Sequence, residues 1–75
     1  MSGLPRLSGR AVAKAFGRDG WQLVRQKGSH MILVKDGSWV TLSVHDHREV
    51  APGTLRSLIR ASGLTPEAFL ARLKK

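Results

Sequence analysis

Apolar residues recur along this chain with two different periods. Ala11, Val12, Ala15 and Phe16 follow i, i+1, i+4, i+5 spacing, one stripe of a helix. Ser8 stands before them as a good N-cap, so the spacing predicts a helix from Gly9 to Asp19 that stops at Gly20. The pattern then changes to that of strands. "WQLVRQ", Trp21 to Gln26, is rich in strand formers, and Lys27 and Gly28 make a turn. "SHMILVK", Ser29 to Lys35, forms a second strand around the apolar run Met31 to Val34. Asp36-Gly37 is a strong hairpin signal. "WVTLSV", Trp39 to Val44, is the third strand, with Val40, Leu42 and Val44 on one face and Trp39, Thr41 and Ser43 on the other. Helical spacing returns after a loop from His45 to Thr54. Pro52 suits a first turn, Leu55, Leu58 and Ile59 share one side, and the helix ends near Ser62. Thr65, Pro66 and Glu67 open a last short helix that carries Phe69, Leu70 and Leu73.

The short connections make the strands an antiparallel meander. A meander with one polar face packs its apolar face on helices. The expected fold is therefore α+β, in the order α-β-β-β-α plus a short C-terminal helix. It is similar in outline to a double-stranded-RNA-binding domain. With 75 residues, one domain is the sensible count. We expect it over 8–73, with a flexible N-terminal segment at 1–7 and a basic tail at 74–75. Alternation puts His30, Ile32 and Val34 on one face of the second strand and Met31 and Leu33 on the other. Either face can be the core.

Composition narrows the function. The absence of cysteine excludes disulfides and thiolate metal sites, and suits a reducing cytosol. No run approaches the roughly 18 apolar residues of a membrane span, and the N-terminus lacks the apolar region of a secretory signal. We expect a cytoplasmic protein with no membrane partner. Thirteen Lys and Arg against five Asp and Glu give a net charge of +8, which points to a polyanion or an acidic protein surface over a small neutral substrate.

The candidate chemistry centres on "GSH", Gly28 to His30. Imidazole can take and return a proton near neutral pH. RNA cleavage needs such a group, because the 2′-hydroxyl must lose its proton to attack the adjacent phosphate. Arg25 and Lys27 could supply positive charge for the phosphate, Gly28 a close backbone approach, and Ser29 a hydrogen bond. The plainer alternative is a turn glycine followed by a strand-edge histidine. Trp39 could stack on a base, cover the sheet or meet a partner. His45 and His47 invite a metal, but a zinc site needs three or four ligands, and His30 is the only other histidine. We expect no metal and no cofactor.

"GRAVAKAFGRDGWQLVRQKGSHMILVKDG" followed by "VTLSVHDHREVAPGTLRSLIRASGLTPEAFL" resembles the HicA (YcfA/HicA) toxins of type II toxin–antitoxin modules. The resemblance runs from about Ser8 to Leu73 and rests on "GW", "GSH" and "PGTLRSLIRASGL" in order. It implies a double-stranded-RNA-binding-like fold and a small metal-independent mRNA endonuclease. It also implies His30 as the catalytic residue and a HicB-type antitoxin that covers the active surface. The chain departs from the family at Ser43, where many members have proline, at Asp46, where glycine is common, and at Ala51, often lysine. These departures lie in or beside the loop after the third strand and leave Lys27 to His30 untouched. No second acid–base group is obvious, and His45 is the best candidate. Two other classes fit the charge and outline: a non-catalytic RNA-binding module, and an interaction protein for an acidic partner.

Overall fold

The computed structural model describes residues 4–74. Residues 1–3 of the expected N-terminal segment and residue 75 of the expected tail lie outside the described residues. Six elements follow one another: α1 (Gly9–Arg18), β1 (Gln22–Lys27), β2 (His30–Val34), β3 (Leu42–His45), α2 (Pro52–Ser62) and α3 (Pro66–Leu73). The strands form one antiparallel sheet in the order β1-β2-β3. The α+β class and the element order are those the sequence pattern predicts.

The local causes are visible at the helix ends. Ser8 Oγ accepts from the Ala11 N–H at 3.1 Å, and Thr65 Oγ1 accepts from the Ala68 N–H at 3.1 Å. Each bond satisfies one of the donors a helix leaves open at its start. Pro52 and Pro66 sit in the first turns of α2 and α3, where their missing N–H costs nothing.

One core joins the two layers. Val12 and Phe16 of α1, Leu55 and Ile59 of α2 and Phe69 of α3 close over Met31 and Leu33 of β2 and Leu42 and Val44 of β3. Phe16 lies at its centre, with ring centroids 5.0 Å from Phe69 and 6.4 Å from Trp21. Leu4 and Leu7 pack against this cluster, and the Leu7 carbonyl accepts from the Val50 N–H at 2.7 Å. The core face of β2 is thus the Met31 and Leu33 face. His30, Ile32 and Val34 belong to the open face, which settles what alternation left undecided.

Three details differ from the sequence pattern. Trp21 belongs to the core, not to β1, and the tight turn is Gly28-Ser29. Lys27 therefore ends β1 as the partner of His30. The Asp36-Gly37 pair does not make a two-residue hairpin. A type I′ turn needs positive φ at both central residues, and among the described residues only glycines have it. Gly37 takes φ 84, the Ser38 N–H donates to the Lys35 carbonyl at 3.0 Å, and the chain leaves by a wider loop. As a result β3 starts at Leu42, Trp39, Val40 and Thr41 are exposed loop residues, and the strand runs on through His45, which the sequence pattern put in the following loop.

Charged groups tie the helices to the sheet. Asp19, the C-cap of α1, accepts from Lys35 Nζ at 3.1 Å and from Arg72 Nε and Nη2 at 3.2 and 3.1 Å. Arg18 donates to the Arg72 carbonyl at 2.6 Å, at the end of α3, where a cation suits the helix dipole.

Candidate active site on the open face of the sheet

The site begins with a turn. Gly28 has φ 60 and Ser29 does not have positive φ, the type II′ pattern with glycine at the first central position. Any residue with a Cβ would be strained there. The turn makes Lys27 and His30 direct partners across β1 and β2. On its other side, His30 lies opposite His45, and Ile32 lies opposite Ser43. Directly opposite residues share a face with Cβ atoms about 4.5–5.5 Å apart. Register therefore gathers Lys27, His30 and His45 into one row.

The side chains follow the row. The His30 and His45 ring centroids are 4.1 Å apart with the planes tilted by 49°. His47 meets His45 edge-on at 5.0 Å. Ser43 Oγ stands 3.5 Å from His30 Nδ1, at the long limit of a hydrogen bond. All three histidines are exposed.

The loop that leaves β3 after His45 and carries His47 is held from two sides. The Asp46 N–H donates to the Ser29 carbonyl at 2.6 Å, which ties the loop to the turn before His30. The Asp46 carboxylate receives Arg10 Nη2 at 3.1 Å and Nε at 3.2 Å. The Gly9 N–H donates to the His47 carbonyl at 2.9 Å. The start of α1 thus grips both the side chain and the backbone of this loop.

A cavity of about 460 Å³ opens beside His30, lined by Arg25, Lys27, His30 and Ile32. Among the described residues its lining has two cations and no carboxylate. Neither Arg25 nor Lys27 forms an ion pair among the described residues. Arg6, Arg10, Lys35 and Arg72, in contrast, pair with Glu49, Asp46 and Asp19. The arrangement can hold an anion and can move a proton beside it.

Of the residues singled out from sequence, Arg25, Lys27, Gly28, Ser29, His30 and His45 come together on this end of the sheet. Trp39 does not. It lies in the loop after β2, at the other end of that strand from His30, with its side chain wholly in solvent. Ser43, His47 and the Gly9–Arg10 grip were not foreseen as parts of the site. Alternation did place Ser43 on the polar face, but only the register shows that it neighbours His30. Among the described residues, no group of three or more His, Cys, Asp or Glu is arranged to hold a metal ion. Nor is any described helix long and apolar enough to cross a membrane.

A comparison with curated proteins found no match. Residues 9–64 match the family model described as the HicA toxin of bacterial toxin–antitoxin. That stretch holds α1, the whole sheet, the histidine loop and α2. The match spans well over half of the chain, which therefore belongs to the HicA toxin family, toxins of toxin–antitoxin systems, and the family implies an antitoxin partner.

Proposed function

We propose that this protein is a cytoplasmic endoribonuclease that cleaves mRNA without a metal, with His30 as its catalytic residue, and that a HicB-type antitoxin neutralises it. One observation carries the reading. An exposed imidazole stands on the open face of the sheet, at the rim of a cavity whose only charged lining groups among the described residues are the cations Arg25 and Lys27.

RNA supplies its own nucleophile, the 2′-hydroxyl. The protein has to hold the phosphate, remove one proton and stabilise the charge that develops on phosphorus. Arg25 and Lys27, which pair with no carboxylate among the described residues, hold the phosphate. Gly28 has no side chain to keep the backbone away from it. Ser29 lends a hydroxyl and, through its carbonyl, fixes the neighbouring loop. His30 exchanges the proton, and Ser43 orients its ring. The antitoxin inhibits by covering this face, and its surface is rich in Asp and Glu to match the toxin's charge of +8.

The test is a cleavage assay on single-stranded mRNA in the presence of a metal chelator, with wild type beside His30→Ala. A positioned acid–base group is worth about 10² to 10⁴ in rate, so the variant should lose nearly all cleavage and keep its fold and most RNA affinity. Wild-type protein that binds RNA and never cuts it would be an RNA-binding module instead.

A further inference from the structure

The site as proposed has one acid–base group, and the cleavage of RNA moves two protons. One leaves the 2′-hydroxyl, and one must reach the 5′-oxygen that departs. The second imidazole is already in place. His45 is the direct sheet partner of His30, and the two rings are 4.1 Å apart. A phosphate does not fit between rings that close. It has to lie across the edges of both, within reach of a nitrogen from each.

The surroundings match a strand that crosses the pair. The cavity with Arg25 and Lys27 opens on the His30 side. A second concavity, of about 190 Å³, opens on the other side, lined by His45, His47, Glu49 and Thr54 among others. Two nucleosides seated in these two hollows place their shared phosphodiester over the imidazoles. His45 ends β3, and the loop that follows it is fixed well enough for such a task. Its Asp46 is bonded to the Ser29 carbonyl and to Arg10, and its His47 carbonyl to the Gly9 N–H.

We infer that His45 is a second catalytic residue, the general acid that protonates the 5′-leaving oxygen while His30 acts as the base. This rests on the ribonuclease reading above. His30 takes the 2′-hydroxyl proton, and the 2′-oxygen bonds to phosphorus. The bond from phosphorus to the 5′-oxygen breaks, and His45, in its protonated form, gives its proton to that oxygen. The products are a 2′,3′-cyclic phosphate and a 5′-hydroxyl. One proton is taken and one is given, so the step balances with no further reactant.

A substrate with sulfur in place of the 5′-bridging oxygen separates catalysis from positioning, because a thiolate leaves without a proton. The full chain, as wild type, His45→Ala, His45→Gln and His30→Ala, is given a single-stranded RNA with ordinary or sulfur linkage at the bond that wild type cuts. Both His45 substitutions fall at an exposed position, and circular dichroism verifies the fold. The His45 variants should lose about 10² to 10⁴ in rate on ordinary RNA and return to within about tenfold of wild type on the sulfur-linked RNA. His30→Ala should stay slow on both. The inference falls if the His45 variants cut ordinary RNA at the wild-type rate, if they stay equally slow on the sulfur substrate, or if His30→Ala is the variant that sulfur rescues. Wild type that cuts neither RNA overturns the ribonuclease reading itself, and this inference with it.

Discussion

Gly9 packs its bare Cα against the backbone of His45: a Cβ at position 9 would run into the His45 carbonyl, with the Asp46 Cα beside it. The first residue of α1 is therefore a spacer for the histidine loop. Elsewhere in a helix, Ala in place of Gly stabilises by about 0.5–1 kcal/mol. Here the added methyl meets backbone, and overpacking costs about 1–3 kcal/mol. Gly9→Ala should thus be net destabilising, by about 0.5–2 kcal/mol, and should slow RNA cleavage by more than its loss of stability explains. Thermal denaturation beside the cleavage assay checks both. A variant more stable than wild type and equally active would show that the loop yields freely.

Asp19 makes a different kind of link. Its side chain is 9% exposed and joins Lys35 and Arg72, whereas the Arg6–Glu49 pair is 84% and 49% exposed. The exposed pair is worth little, about 0–1 kcal/mol. Burial pushes the Asp19 carboxyl up, but hydrogen bonds and charge from Lys35 and Arg72 together outweigh it and hold the group below its usual value. A carboxylate depressed in the folded state stabilises above its unfolded pKa, about 3.9, and loses that contribution as pH falls through the folded value. Asp19→Asn should cost about 1.5–3 kcal/mol at pH 7, the range for hydrogen bonds to charged groups. The difference from wild type should stay constant down to about pH 5 and shrink below pH 4. Melting curves at pH 7 and pH 3 test this, and a gap that is the same at both would remove the carboxylate from the account.

How much of this was legible beforehand depends on the kind of signal. Helix starts are written locally, by Ser8, Thr65, Pro52 and Pro66, and they stand where the sequence puts them. The type II′ turn at Gly28 is also local, though one residue further on than expected, and that residue matters because it makes Lys27 the partner of His30. The Asp36-Gly37 signal misled because an Asp-Gly pair also fits a turn in which only the glycine has positive φ. With the wider loop, β3 lost Trp39, Val40 and Thr41. The rest of the site is not local at all. Ser43 and His45 reach His30 through strand register, and Gly9 and Arg10 reach Asp46 across 36 or more positions of chain. A single sequence marks these residues only as a polar strand face and a helix start.

Trp39 now stands apart from both the core and the histidine row. Its relative exposure is 101%, so it buries nothing that folding could use. Trp39→Ala should leave stability within about 0.5 kcal/mol of wild type. Stacking of a base on an aromatic ring is worth about 1–3 kcal/mol. If His30→Ala abolishes cleavage as proposed, RNA should bind that protein about 5- to 150-fold more weakly when Trp39 is also removed. Unchanged RNA affinity would leave the indole to the antitoxin instead.

The last prediction concerns which cations hold RNA. The net charge of +8 is a property of the whole chain, but the cations differ in what they face. Arg10 and Arg6 pair with Asp46 and Glu49, and Arg25 and Lys27 line the cavity beside His30. Each phosphate neutralised on a single strand contributes about −0.7 to the slope of log affinity against log salt. In the His30→Ala background, removing Arg25 and Lys27 together should reduce that slope by about 1.4. Removing Arg6 and Arg10 takes away the same formal charge and should leave the slope nearly unchanged, because those side chains answer to carboxylates and not to RNA. The comparison holds net charge equal, so it separates a local grip from a general attraction. If the two double variants lose slope by the same amount, RNA is drawn by the total charge of the protein, and the cavity beside His30 is not where its phosphates sit.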